Sequence, residues 1–422
     1  MNTQHTVILS AWVAFASCVA QAQQAPGLSI HRSATADPSA NDHTQADRPP
    51  LAALKEAYKA DFLLGVAINR TIATDISNSD SKVDGNFDGL RADTAAVLHH
   101  FNSISPENDL KWALVHPREG EQGYDWKPAD AFVEFGERNK MHLVGHTLVW
   151  HSQTPNWVFS GNEAGPAANR DGGNRLSARG EYRGPRASRE ELLDRMRRHI
   201  QAVVGRYKGR IHVWDVVNEA IADDGDDVLR NSLWRQIIGD DYIAKAFEFA
   251  HQADPDAVLR YNDYGLEHRD KRAKLIKLIK SLQAQGVPVH AIGTQGHITA
   301  TWPSSEEMEL AIVEMKQLGL PIHITELDVN NAELGQRRTT AEITENVAQG
   351  ALIEKAMERQ AEQYANIFRV FRKHRDAIEI VTFWGINDGV SWRAGGKPLL
   401  FDAQNKPKPA FDAVLRAAET QR

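Results

Sequence analysis

Hydrophobic and polar positions fall along this chain in two alternating rhythms. Short, nearly continuous apolar runs begin near Phe62, Phe101, His142, Ile211, Ala257, Ala291, Ile322 and Ile378. Several are rich in the β-branched residues that suit strands covered on both faces. Longer segments of helical period lie between them. Ser188 to Val204 puts Leu192, Met196, Ile200 and Val203 on one face and opens with Ser188 and Glu191 at capping-box spacing. Ser304 and Glu307 give the same start signal ahead of another helix. Eight strand-then-helix units in strict order predict an α/β chain whose strands close into a single (β/α)8 TIM barrel over residues 51–422. Alternation does not by itself establish closure, so an open doubly wound sheet stays as the alternative. Two stretches break the rhythm. Gly161 to Arg186, rich in Gly, Arg and Asn, reads as a long surface loop, and Gln336 to Gln349 is likewise polar and aperiodic. In a barrel both belong to the C-terminal face, where loops border a site.

The apolar runs end in polar residues. Ile211 to Ala220 stops at Asn218 and Glu219, and Ile322 to Val329 carries Glu326 where its apolar alternation ends, followed by Asp328. The second run delivers Glu107, Asn108, Lys111 and Trp112; the third His146, Trp150, His151 and Gln153. The fifth gives Tyr261, Asn262 and Asp263, the sixth Gln295 and His297, and the eighth Trp384, Asn387 and Asp388, with Trp392 shortly after. Taken singly, each has an ordinary structural explanation: a helix cap, an ion pair, a hydrogen-bonded histidine, a packed indole (Trp112 and Trp214 above all). Taken together they do not, because burying so many polar groups costs free energy unless they serve a ligand. Two carboxyls among amides, imidazoles and flat indole faces suit glycoside hydrolysis, in which one carboxylic acid protonates the departing oxygen and a second carboxylate attacks the anomeric carbon or activates water.

Other chemistries fit less well. His146 and His151 stand five apart on a predicted strand, which would face them to opposite sides and rule out a simple two-histidine metal pair. The acidic run Asp223 to Asp227 lacks the spacing of a known calcium loop, and no glycine-rich phosphate loop follows the first strand. Neither a metal nor a cofactor is expected. A formal net charge of −7 with no basic cluster argues against nucleic acid or an anionic membrane surface, while a neutral polysaccharide would not be repelled.

The N-terminus changes the picture once more. An apolar run, Val7 to Ala20, too short to span a bilayer, leads into the small-residue pattern Ala20-Gln21-Ala22. Residues 1–22 therefore read as a secretory signal, although no Lys or Arg precedes the run, and residues 23–50 as a flexible leader. The chain's one cysteine, Cys18, lies inside this segment, where lipid modification is the alternative to cleavage. The folded part then has no disulfide, and its stability comes from core packing. The expected protein is secreted, extracellular or periplasmic, without a membrane association in its mature form, and monomeric.

Four strings carry a resemblance: ENDLKW at Glu107 to Trp112, HTLVWHSQTPNW at His146 to Trp157, WDVVNEA at Trp214 to Ala220, and ITELDV at Ile324 to Val329. In this order they make the chain, from Leu51 to its C-terminus, similar to the family 10 glycoside hydrolases, retaining endo-β-1,4-xylanases of (β/α)8 fold. The resemblance implies Glu219 as general acid/base and Glu326 as the nucleophile that forms a glycosyl-enzyme intermediate. In a retaining enzyme the two carboxyls are expected about 5–5.5 Å apart. His297, with Asp328 behind it, would hydrogen-bond the nucleophile, and Asn218 would meet the 2-hydroxyl of the sugar under attack. Glu107, Asn108, Lys111, His146, Trp150, Gln153, Asn262, Gln295, Trp384 and Trp392 match the sugar-binding positions; Lys111 and Trp384 would crowd a hexose hydroxymethyl group and so favour xylose. The implied substrates are xylan and xylo-oligosaccharides. A mixed xylanase/β-glucanase is the nearer alternative, and a non-catalytic xylan-binding barrel the remoter one. The loop Gly161 to Arg186 and the polar stretch after Asn331 depart from the family pattern and bear on distal subsites and decorated xylan.

Overall fold

The computed structural model of the chain describes residues 52–74, 87–161, 184–331, 334 and 346–419. Eight parallel strands form its centre: β1 (Leu63–Ile68), β2 (Ser103–Pro106), β3 (His142–Gly145), β4 (Val213–Asn218), β5 (Val258–Asp263), β6 (Ala291–Thr294), β7 (Ile322–Asn330) and β8 (Ile378–Phe383). Neighbours follow chain order from β1 to β7. β8 pairs with β7 on one side and with β1 on the other. That last pairing removes both free edges, so the sheet is a closed barrel and not an open doubly wound one. A helix follows each strand: α1 (Phe87–His100), α2 (Lys127–Arg138), α3 (Arg189–Arg206), α4 (Tyr242–Ala253), α5 (Arg269–Ala284), α6 (Ser305–Lys316), α7 (Asn346–Lys373) and α8 (Pro409–Glu419). α3 and α6 start at the expected capping boxes, with Ser188 accepting from the Glu191 N–H and Ser304 from the Glu307 N–H. None of the helices described is long and apolar enough to cross a membrane.

The main apolar core lies between the strands and the surrounding helices, where Leu192, Met196, Ile200 and Val203 of α3 are all buried as the period required. Inside the barrel the filling is layered. Near the N-terminal end Val144, Val213 and Ile380 pack with Leu63 and Val258. Above them Asp215 of β4 lies opposite Arg260 of β5. Between Asp215 and Val217 the β4–β5 register shifts, a bulge that re-aims the strand's last side chains. Val217 thus joins the outer core, and Asn218 turns to the barrel mouth.

Two short segments extend the mouth. Val149–Trp150 pairs with Val217 and Asn218, and His297–Thr299 pairs with Asp328 to Asn330. The run expected as one strand from His142 to Trp150 is therefore two pieces. The long loop after β3 leaves the barrel through a narrow neck, where Ser160 bridges Arg186 and the Gly161 N–H bonds the Pro185 carbonyl at 2.8 Å. The predicted signal and leader (1–50), residues 162–183 of that loop and residues 335–345 lie outside the described residues; 346–349 open α7.

Candidate active site

Glu326 sits on β7 at the barrel mouth, almost wholly buried. Its Oε1 accepts from Asn262 Nδ2 at 2.9 Å, and its Oε2 from His297 Nε2 at 3.2 Å. The other ring nitrogen of His297 donates to Asp328 Oδ2 at 2.9 Å. Burial alone would neutralise this imidazole, but the charges and hydrogen bonds of Asp328 and Glu326 outweigh it and raise its pKa to about 9. His297 is therefore a cation at neutral pH. Burial likewise pushes Glu326 up, yet the His297 hydrogen bond and the charges of His146, His297 and Lys111 bring its pKa below the ordinary carboxylate value. Asp328 is itself held by Trp392 Nε1 at 3.0 Å and Arg393 Nη1 at 3.1 Å. The result is an ionised carboxylate backed by an oriented cation.

Glu219 follows the last residue of β4 with φ +57, a left-handed conformation that costs a residue other than glycine about 1–3 kcal/mol unless neighbours over-determine it. Its carboxylate accepts from Trp150 Nε1 at 2.8 Å and from Gln295 Nε2 at 3.0 Å. His151 Nε2 stands 3.9 Å away, and burial together with the nearby Arg230 charge lowers that imidazole to about 4. Among the described residues, then, only neutral groups hydrogen-bond this carboxyl, whereas Glu326 bonds a cation. The same amides link the two acids. Asn218 Oδ1 accepts from Asn262 Nδ2 at 3.0 Å and from Gln295 Nε2 at 3.3 Å, which orients Asn218 Nδ2 as a donor for a ligand hydroxyl.

The other predicted residues gather around this pair, with differences of role. Lys111 is buried, donates to Asn108 Oδ1 at 3.0 Å and lies 5.1 Å from the Trp150 ring centre. Burial lowers its pKa, and the charges of Glu326, Glu107 and Glu219 oppose the fall. Burial raises Glu107 against the pull of Lys111 and Asn108. His146 meets Trp384 edge-on at 5.3 Å, and Trp392 meets His297 at 5.0 Å. Gln153, at φ +45, has a buried amide oxygen without a hydrogen-bond partner. Trp392 is half-exposed, 49%, with the Arg393 guanidinium 4.5 Å from its ring centre.

Asn262 differs from the expectation of a sugar-binding group. It has no exposed surface, and its amide is spent on Asn218, Glu326 and the Thr325 hydroxyl, which donates at 2.7 Å. It holds the site from beneath, a position open to it only because Gly293 has no side chain: a Cβ there would lie 2.4 Å from Asn262 Oδ1. Gln295 likewise ties Glu219 to Asn218. Three residues of the polar strand ends are structural instead, while Tyr261 bonds Asp263 and accepts from the Ala220 N–H next to Glu219. Asn387 bonds Asp93 and Asn405, and Asp388 bonds Lys408. Trp112 stacks on His199 at 3.6 Å in the core. The reason given for separating His146 from His151 also changes. β3 stops at Gly145, so strand alternation does not govern them; each ring instead serves its own carboxylate, His146 Nδ1 at 3.0 Å from Asp215 and His151 near Glu219.

Asp215, Arg260 and His323 were missed by the sequence reading. Arg260 grips Asp215 with Nε and Nη2 at 2.7 and 3.0 Å, and its Nη1 lies 2.9 Å from His323 Nδ1. Burial would raise Asp215, but Arg260 and His146 take it down to about 2. A guanidinium can only donate, so His323 accepts at Nδ1 and turns its Nε2 proton toward Glu379, 3.2 Å away. The signal available was a charge inside each of two apolar strand runs, at Asp215 and Arg260.

The glycosyl hydrolase family 10 profile matches residues 53–417. The chain is 39% identical over 369 residues to the endo-1,4-beta-xylanase of Geobacillus stearothermophilus, covering 86% of this chain and 97% of that one. A solved xylanase from Paenibacillus barcinonensis, complexed with a conduramine derivative, matches with a TM-score of 0.71 at 36% identity, over 87% of this chain and 99% of its own. A mutant structure in complex with xylotriose matches with a TM-score of 0.71 at 37% identity, over 86% and 99% of the two chains.

Proposed function

This chain belongs to glycosyl hydrolase family 10, and from that we propose that it is a secreted endo-1,4-β-xylanase, hydrolysing internal β-1,4 bonds of xylan by a retaining double displacement with Glu219 as acid/base and Glu326 as nucleophile. The observation that carries the division of roles is the contrast between the two carboxyls. Glu326 shares a hydrogen bond with the His297 cation and lies below the ordinary carboxylate range, as a nucleophile must. The Glu219 carboxyl is hydrogen-bonded by the neutral Trp150 and Gln295, with no cation among the described residues bonded to it, and these two donors aim it into the mouth as the group assigned to the departing oxygen.

In the first step Glu326 attacks the anomeric carbon while Glu219 gives its proton to the leaving glycosidic oxygen, so one C–O bond forms as another breaks. In the second, Glu219 takes a proton from water, whose oxygen displaces Glu326 from the same carbon. Two inversions leave the configuration retained. Asn218 Nδ2 supports the 2-hydroxyl, a contact that strengthens as charge develops in the transition state. Lys111 and Trp384 narrow the space where a hexose would place its hydroxymethyl group. Release from the cytoplasm rests on the Val7 to Ala20 run and the Ala20-Gln21-Ala22 pattern.

Following the anomer first released from an aryl xylobioside by proton NMR tests this reading. The β-anomer is expected; initial α-anomer would overturn it. Glu219→Ala and Glu326→Ala should each remove nearly all xylan hydrolysis.

A further inference from the structure

We propose that Arg230 is a positioning residue for the reaction: together with the Tyr261 hydroxyl it clamps the peptide between Glu219 and Ala220 and thereby aims the Glu219 carboxyl. The inference rests on the acid/base role proposed for Glu219. Glu219 is in the left-handed region, at φ +57, where the direction of its side chain depends on how the following peptide is held. That peptide is held on both sides. Arg230 Nε donates to the Glu219 carbonyl at 3.0 Å, and the Tyr261 hydroxyl accepts from the Ala220 N–H at 3.0 Å. The Glu219 N–H completes the grip on the Asn262 carbonyl at 2.9 Å.

Each jaw is itself fixed. Tyr261 donates its hydroxyl proton to Asp263 Oδ2 at 2.6 Å, which leaves its lone pairs facing Ala220. Arg230 donates from Nη2 to the Tyr264 hydroxyl at 2.8 Å and lies 3.0 Å from Asp223 Oδ2. Asp223 is anchored in turn by Tyr264 and Lys271, at 2.6 and 2.8 Å. Arg230 also returns along the backbone, its N–H bonding the Ala220 carbonyl at 2.7 Å. The excursion from Glu219 to Arg230 is thus a closed loop whose end holds its beginning. Asp223, the first residue of the acidic run that lacks calcium-loop spacing, supplies the counter-charge for this clamp.

Misaimed acid differs from a damaged fold in what it spares. A 2,4-dinitrophenolate leaves without a proton, whereas a phenolate needs one, and kcat/KM reports the step in which it leaves. For Arg230→Gln, kcat/KM on phenyl β-xylobioside should fall by about 10- to 100-fold, the range for a misplaced proton donor. On 2,4-dinitrophenyl β-xylobioside it should change less than about threefold, the substrate gaining little from general acid. Tyr261→Phe, which keeps the ring and removes the other jaw, should show the same selective loss and serves if Arg230→Gln does not fold. An equal loss on both substrates, or no loss on either, overturns the clamp. Glu219→Ala run alongside separates the two claims: if it too fails to discriminate between the leaving groups, the acid/base role of Glu219 is what has failed.

Discussion

Replacing His297 by Asn removes the cation beside Glu326, the proposed nucleophile, and leaves most of the site standing. Glu326 keeps the Asn262 hydrogen bond on Oε1, and Asp328 keeps Trp392 and Arg393. What is lost is a charge-assisted bond of 3.2 Å to Glu326 Oε2. Such bonds contribute about 1.5–3 kcal/mol, and about 1.4 kcal/mol corresponds to one pKa unit, so the Glu326 pKa should rise by about one to two units. Its ionisation sets the acid limb of kcat/KM, measured on an aryl xylobioside from pH 3 to 8, and that limb should move up by the same amount. A limb that stays put within a few tenths, or moves down, would refute the account of how Glu326 is kept ionised. The same cation has a thermodynamic signature. Its folded pKa, about 9, lies above the unfolded value of 6.5. Its contribution, on the order of 3 kcal/mol, is therefore fully present below pH 6.5 and lost as pH rises through about 9. In urea titrations the wild type should exceed His297→Asn by most at pH 6, and the gap should close by pH 9.5.

The amides beneath the site give a second test: Gly293→Ala drives a methyl to 2.4 Å from Asn262 Oδ1, which should cost about 1–3 kcal/mol of stability by overpacking. It should also lower kcat more than it raises KM, since Asn262 touches Glu326 and Asn218; an unchanged kcat would deny Asn262 its positioning role. Trp150→Phe removes the 2.8 Å donor to Glu219 Oε2 while keeping an aromatic face. A loss of about tenfold in kcat/KM on phenyl xylobioside corresponds to one such hydrogen bond, and a larger loss in KM alone would make the indole a sugar platform only. Turnover on aryl xylobioside should exceed that on aryl cellobioside, and Lys111→Ala should narrow the gap; equal rates in the parent protein would favour the mixed xylanase/β-glucanase reading.

The local pattern of this chain determined a good deal. A strand buried on both faces needs a continuous apolar run, and a helix packed on it needs a 3.6-residue stripe with a capped start, so all eight units and the two capping boxes were legible. The position of Glu219 and Glu326 at strand ends was legible as well, because a carboxyl where an apolar run stops stands out from the packing around it. Closure was not, since nothing local tells β1 that β8 will be its neighbour. Nor was the bulge after Asp215, which decides that Asn218 and not Val217 reaches the barrel mouth. Asn387 and Asp388 carried the same signal as Asn218 and Glu219, yet they were claimed by Asp93, Asn405 and Lys408 from distant parts of the chain. Asp215 and Arg260 each put a charge inside an apolar run, and only the register sets them face to face. Residue type and period are short-range properties and can be read in order along the chain. Which polar group satisfies which is a long-range property, decided by strand register and barrel closure, and in the buried mouth of a barrel it settles which acid meets a cation and which amide is left for a ligand.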